Sequence, residues 1–404
     1  MGIAKLVGAL GVVKEKGYAV LQSVLALIFL AVIGKKRLSK AENLKDHGIA
    51  ALAGFARLPS KSYFFDFLDR TTQAGAESFE IASARAFKKM GIFKGRIVNL
   101  DSHLIGYFGN LKIGKDWHPT KNKIMRGIKA FFTQDQETGS PVFARVEYPR
   151  KGLTPEDVAI SMLKITREIL PELEKAVFDK WFSVGSLLEY LDKRMKLKFV
   201  TLLKLFENRI EEMMEIPEEE FRELVGEDAM IAFKDTNLRG YSGNVKLIVV
   251  KKEEDGEDKY YGYLTNDYES GEEQIVKEKG WRWRIENFFK DCDFLGLDKL
   301  SSIELNKIAA LLAMKFFSFN ILACLRKDLG GDYEKMTPES IFEEIIEFPA
   351  VVKAKKDRLV ITFYGNYRPR HKEAVEKLMQ KLEEKEMNVP IPWLGNRRIT
   401  VRFK

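Results

Sequence analysis

From Arg96 onward the chain alternates in a way that few folds accommodate. RIVNLD, GIKAFFTQD and SPVFARVEY each read as a strand, with QETGS as a hairpin turn between the last two. Thr154 followed by Pro155 opens a helix that runs to Pro171, because Thr caps and Pro suits the first turn. KAVFD is a fourth strand, GSLLEYLDKRM a helix and KFVTLLKL a fifth strand. The order β-β-β-α-β-α-β specifies an α/β fold whose mixed five-stranded sheet is flanked by helices. Two of its apolar strands stop on a carboxylate, Asp101 and Asp179.

A third acid belongs with these two. In WRWRIENFFKD a helix aligns Arg282, Glu286 and Lys290 at i, i+4 and i+8, with Ile285, Phe288, Phe289 and Cys292 as the apolar stripe behind them. A salt-bridged surface face is the plain reading of such a helix, and a turn or cap is the plain reading of an Asp at a strand end. Three carboxylates at element edges, taken together, can make a metal site.

Composition limits the alternatives. The 404 residues are 45% hydrophobic and 31% charged, which specifies a soluble folded chain with room for several domains. Cys292 and Cys324 fall among apolar neighbours and read as reduced core residues. His47, His103, His118 and His371 lack zinc-motif spacing, and no GxxxxGK[ST] occurs, which argues against a nucleotide-driven motor. The net charge is +8, but residues 207–228 alone carry −8, so the rest of the chain carries +16. A basic remainder of that size favours a polyanion such as nucleic acid. VLALIFLAVIG at 24–34 is shorter than the about 20 apolar residues a membrane span needs. A buried core helix is expected there, with no membrane role and no export signal.

Five segments follow. Residues 1–95 show helical periodicity broken by Gly34, Gly48, Gly54 and Pro59, and residues 96–204 hold the strands and helices above. Residues 205–268 open acidic and then give VKLIVVKK and KYYGYLTND around EEDGED, a hairpin within an inserted β-rich subdomain. Residues 269–330 carry the Glu286 helix and a second apolar helix, and residues 331–404 form a small α+β tail.

The order of two strand-end aspartates, a β-rich insertion and a helix with RWRIE resembles the DDE transposases of bacterial and archaeal insertion sequences. Within them it is most similar to the group with a Tyr-Arg-Glu-Lys signature. The second Asp follows the first by 78 residues, and the Glu follows after a further 107, which leaves room for the insertion. The resemblance implies a ribonuclease H-like catalytic core with Asp101, Asp179 and Glu286 as catalytic acids. It also implies two Mg²⁺ ions, with Mn²⁺ able to substitute, and Asp101 as the acid they share. Hard oxygen ligands suit such ions, and two of them about 3.5–4 Å apart stabilise both the attacking and the leaving oxygen of a phosphodiester. The implied activity is cleavage of DNA at the element ends and strand transfer to a target, by a homodimer on paired ends in the cytoplasm, at the nucleoid. The rival readings are an inactive DNA-binding derivative and a ribonuclease H-fold nuclease that cuts without joining.

Arg282 matches the signature Arg. The signature Tyr and Lys would fall at Lys279 and Asp293, so the grip on the end phosphate differs in this chain. Arg282, Arg284 and Lys290 are expected phosphate contacts and Trp283 a stacking residue. Lys121, Lys123 and Arg126, with Lys112, Lys115 and Lys129, form a second basic group on a loop leading into the strand near Asp101.

Overall fold

The computed structural model describes residues 2–13, 17–39, 47–118, 121–150, 152–281, 283–297 and 299–404, with the backbone alone for 283–286. Two compact units result. One comprises Met1–Ile92, Ile105–Asn110 and Phe289–Lys404, the other Phe93–Leu104 and Leu111–Phe288.

The first unit opens with helices α1 (Ile3–Gly8), α2 (Val20–Val32), α3 (His47–Leu52), α4 (Lys61–Asp69) and α5 (Gln73–Lys89). Polar caps start the last two: Ser60 Oγ accepts from the Tyr63 N–H, and Thr72 Oγ1 from the Gly75 N–H at 2.9 Å. The apolar run at 24–34 supplies most of α2, and Val24 to Ile28 are all buried. It is a core helix, as its short length requires.

The second unit is built on one sheet. Its strands are β1 (Ile97–Gly106), β2 (Lys115–His118), β3 (Lys123–Asp135), β4 (Pro141–Glu147), β5 (Lys175–Phe178), β6 (Lys198–Leu202), β7 (Arg222–Glu223), β8 (Met230–Asn237), β9 (Asn244–Glu254) and β10 (Glu257–Thr265). Helix α6 (Pro155–Ile169) links β4 to β5, and α7 (Gly185–Glu189), continued by a π-helical turn over Tyr190–Arg194, links β5 to β6. Helices α8 (Glu207–Met214), α9 (Glu272–Gly280) and α10 (Trp283–Phe294) follow. The strand order is β2-β3-β1-β5-β6-β10-β9-β8-β7, with β4 paired to β3. β1, β5 and β6 run parallel to one another. β5 is buried at all four positions, as a parallel strand covered on both faces should be. The Gln136 N–H donates to the Ile97 carbonyl at 3.0 Å, so the end of β3 meets the start of β1 and the two run antiparallel.

Three expectations need correction. The five expected strands are present, yet they belong to a ten-stranded sheet, because β10 pairs antiparallel with β6 through Tyr263↔Leu202, Leu264↔Thr201 and Thr265↔Val200. Without β10 the edge of β6 would leave a row of unpaired backbone groups. The strand expected to stop at Asp101 continues to Gly106, so Asp101 is mid-strand. The basic loop before β3 contains a strand, β2, which pairs with β3 as a hairpin. The 205–268 hairpin is as expected: Asp255 and Gly256 both have positive φ, which a two-residue turn joining β9 to β10 demands. Ile275 and Val276 of α9 cover that part of the sheet, against Ile231, Ile248 and Val250.

The chain returns to the first unit with α11 (Leu305–Leu329), α12 (Pro338–Ile341), α13 (Pro369–Glu384) and the small sheet β11 (Ala350–Ala354), β12 (Arg358–Phe363) and β13 (Arg398–Phe403), ordered β11-β12-β13. By length and composition α11 could cross a membrane, but 67% of its apolar window is buried inside the protein. Phe317 sits 5.7 Å from Phe79 and 5.2 Å from Phe87 between ring centres, which fixes α11 against α5. A helix apolar all round is the centre of this unit's core. Cys292 and Cys324 are buried in the core.

Candidate active site

The middle of β1 and the end of β5 place two acids side by side. Leu100 and Phe178 are the last registered pair of these parallel strands, and Asp101 and Asp179 are the next residue on each. Neighbouring strands lie about 4.8 Å apart, so the two carboxyl-bearing residues start from adjacent backbone positions with the same facing. Both are half-buried.

Each acid has a local reason for its place. The Asp101 carboxylate accepts from the Ser102 N–H at 2.7 Å. Asp179 caps a 3₁₀ turn over Lys180–Phe182, its carboxylate accepting from the Lys180 N–H at 2.8 Å. Its carbonyl accepts from the Phe182 N–H at 3.0 Å and from Thr201 Oγ1 at 3.2 Å. Phe178 and Phe182, both buried, meet edge to face at 5.8 Å on either side of the acid. Trp181 stacks on Phe131 at 5.8 Å and carries the Lys129 ammonium 4.3 Å above its ring. The FDKWF motif is therefore an anchored turn that holds one carboxylate at a strand end.

Glu286 lies in the first turn of α10, and its side chain, with those of Arg282, Trp283 and Arg284, is outside the described residues. Two positions later the buried Phe288 meets Phe132 of β3 edge to face, with ring centres 6.0 Å apart. That contact ties the start of α10 to the strand beside β1. α9 is also held to this sheet, because the Gln136 amide donates to the Glu278 carbonyl at 2.9 Å and to Asn99 Oδ1 at 3.0 Å. Among the described residues no group of three metal-ligating side chains is assembled. Two half-buried carboxylates on adjacent strands nonetheless fit the hard-oxygen donor set of a divalent ion.

The other expected residues are distributed as follows. Lys290 is exposed on the part of α10 that belongs to the helical unit. Lys121 and Lys123 are exposed near the β2–β3 turn, and Arg126 on β3 donates through Nη1 to the Leu111 carbonyl at 3.3 Å. At the two positions that depart from the signature, Lys279 is buried on α9 and Asp293 pairs with Lys36 at 2.6 Å. His103 is buried on β1 with its ring centre 6.0 Å from that of His118 on β2. Sequence reasoning passed over Trp117 and Ile124, which are exposed and register partners on the β2–β3 hairpin. The alternation in KDWH was the available signal, masked by the short strand length.

Residues 92–321 match the protein family described as Transposase DDE domain, a span that holds all three acids. No curated protein matches the chain. Among solved structures, the piggyBac transposase synaptic complex with hairpin DNA, seen by cryo-EM, is similar at 13% identity and a TM-score of 0.46, over 97% of this chain and 81% of that one. The family match covers more than half of the 404 residues, and on it the chain belongs to the transposase DDE domain family.

Proposed function

We propose that this transposase binds the ends of an insertion sequence, cuts the DNA there and joins the freed ends to a target, with Asp101, Asp179 and Glu286 as its catalytic acids. The observation that carries the proposal is the register of β1 and β5, which makes Asp101 and Asp179 neighbours although 78 residues separate them. The strand order β4-β3-β1-β5-β6, antiparallel in its first part and parallel in the rest, supports a ribonuclease H-like core within the larger sheet. Residues 96–330 form the catalytic domain on this reading, 205–268 its insertion, 331–404 the tail, and the helices of 1–95 the region that holds the element ends.

The chain's own residues orient the reaction. Asp101, in the middle of a buried strand, is the rigid member and would be the acid shared between the ions; Asp179 is fixed by its capping turn, and α10 brings Glu286, so that the three would hold the divalent ions. Two divalent ions, Mg²⁺ or Mn²⁺, supply charge stabilisation to the attacking and leaving oxygens when bound. Arg282, Arg284 and Lys290 contact phosphates, Trp283 stacks on a base, and Lys121, Lys123 and Arg126 track the duplex. The enzyme acts as a homodimer on paired ends, in the cytoplasm at the nucleoid. Arg282 and Glu286 keep the Tyr-Arg-Glu-Lys subtype in view, while Lys279 and Asp293 require a different grip on the end phosphate.

The test compares the parent with Glu286→Gln on DNA carrying the ends that flank its own locus, with Mg²⁺ or Mn²⁺ added. Cleavage by the parent alone supports the proposal, and a supplied 3′-hydroxyl donor then reports joining. Binding without cutting by either protein makes the chain a DNA-binding derivative, and cutting without joining makes it a nuclease.

A further inference from the structure

We propose that the outer face of the β2–β3 hairpin is an apolar wedge, flanked by cations, that enters a groove of double-stranded DNA beside the Asp101–Asp179 pair. The inference rests on the transposase reading above and adds a surface to it.

The register defines two faces. Residues directly opposite on paired strands point the same way, and each face takes every second residue. Trp117↔Ile124 and Lys115↔Arg126 therefore share one face, and Asp116↔Met125 and His118↔Lys123 share the other. The second face is engaged by the protein. Asp116 pairs with Lys129 at 2.8 Å, and the buried His118 lies against His103, two residues beyond Asp101 on β1. The first face is turned to solvent, with Trp117 51% and Ile124 68% exposed.

Two features of that outer face are unfavourable in the isolated protein. A large apolar cross-strand pair stays in water, and Lys115 stands directly opposite Arg126, whose guanidinium also donates to the Leu111 carbonyl at 3.3 Å, so that like charges meet across the pair. One ligand relieves both. A polyanion neutralises Lys115 and Arg126, while base planes or the sugar-lined groove floor cover Trp117 and Ile124. An acidic protein surface would satisfy the cations, but the alternation of cation and aromatic along a narrow two-stranded ribbon fits a nucleic-acid groove better. The ribbon is held firmly at its root. The Gly127 N–H donates to the Gly114 carbonyl at 3.1 Å, and a Cβ on Gly114 would fall 2.1 Å from the Pro149 carbonyl oxygen, so only glycine allows the close approach. The hairpin is thus fixed at its root, and at its turn end the buried His118 lies against His103 on the strand carrying Asp101, which leaves the outer face as the exposed one.

The experiment measures binding of the full chain to a duplex containing a fluorescent base analogue, in chelator so that nothing is cut, across a salt series. The proteins are the parent, Trp117→Ala, Trp117→Phe, Ile124→Ala and the double variant Lys115→Ala/Arg126→Ala. Trp117→Ala is expected to weaken binding about tenfold and to abolish the rise in analogue fluorescence, with Trp117→Phe restoring most of both. The double variant is expected to lower the slope of log K against log salt by about 1–2, whereas Trp117→Ala leaves that slope unchanged. Both apolar positions are exposed, so thermal unfolding should be unaffected and a folding defect is separable. If the parent binds the duplex and Trp117→Ala matches it in affinity and fluorescence, the wedge is overturned and the transposase reading stands. If the parent binds no duplex at any salt, the transposase reading falls and the wedge with it. Loss of self-association in Trp117→Ala with DNA binding intact would make the face a contact between copies of the chain and overturn the proposal.

Discussion

Lys175 and Asp267 form an ion pair at 2.7 Å with almost no exposed surface on either side chain. Lys175 opens the strand that ends beside Asp179, and its ammonium also meets Glu278 of α9 at 2.6 Å. Asp267 accepts in addition from Lys198 at 2.9 Å and from Ser270 Oγ at 2.6 Å. Burial alone would push the Asp267 carboxyl up; the hydrogen bonds from Lys175, Ser270 and Lys198 outweigh it and hold the group well below the usual carboxylate range. Its stabilising effect is complete above the ordinary value of 3.8 and is lost as pH falls towards the lower folded value. Asp267→Asn should cost about 3 kcal/mol near neutral pH, since it leaves buried cations short of a partner. Urea midpoints of parent and variant should stay a constant distance apart from neutral pH to about pH 5, and converge below about pH 4.

Removing either adjacent acid should stop the chemistry and spare binding. Asp101→Asn and Asp179→Asn are each expected to lower cleavage about a thousandfold or more, the equivalent of several kcal/mol of charge stabilisation. In chelator, duplex affinity should be unchanged or slightly higher, because a negative charge facing phosphate has gone. Single-turnover cleavage and a binding titration on the same preparations check both halves.

Phe182 supports the turn that Asp179 caps, and it is almost wholly buried against Phe178 and Trp181. Phe182→Ala should cost about 3–5 kcal/mol from the lost packing and the cavity left behind. Cleavage should fall further than the folded fraction does when both are measured well below the unfolding midpoint, with DNA binding retained.

Thr154 is a separate, local case. Its hydroxyl accepts from the Asp157 N–H at 3.1 Å at the start of α6, with Pro155 in the first turn. Thr154→Ala should cost about 1 kcal/mol and Thr154→Ser much less, read from chemical denaturation. Neither change should alter cleavage per folded molecule.

The legible parts share a cause. KAVFD, GIKAFFTQD and the Asp255-Gly256 turn state their structure within a few residues, through apolar runs, alternation and the demand for positive φ. β2 escaped because four residues with one half-buried and one buried position give too short a pattern to separate from a loop. The extension of β1 past Asp101 escaped because SHLIG mixes polar and apolar residues, and its burial depends on neighbours from elsewhere in the chain.

Taken alone, the amino-acid order determined the apolar strands RIVNL, GIKAFFTQD, PVFARVE, KAVF and KFVTL, the cap that starts α6, that Asp179 closes its strand, and that the charge outside 207–228 is strongly basic. Those properties are local, because they arise from side-chain period, backbone restriction and charge counting. Only the tertiary structure decided that β1 lies beside β5 in the register that makes Asp101 and Asp179 neighbours, that β10 continues the sheet from β6, and that Trp117 faces water while His118 on the same short strand is buried. Strand neighbours and exposed faces depend on pairing between segments far apart in the chain. The hydrogen-bonding groups of a strand are the same whichever partner it takes, so the choice is made by the packing of the whole unit.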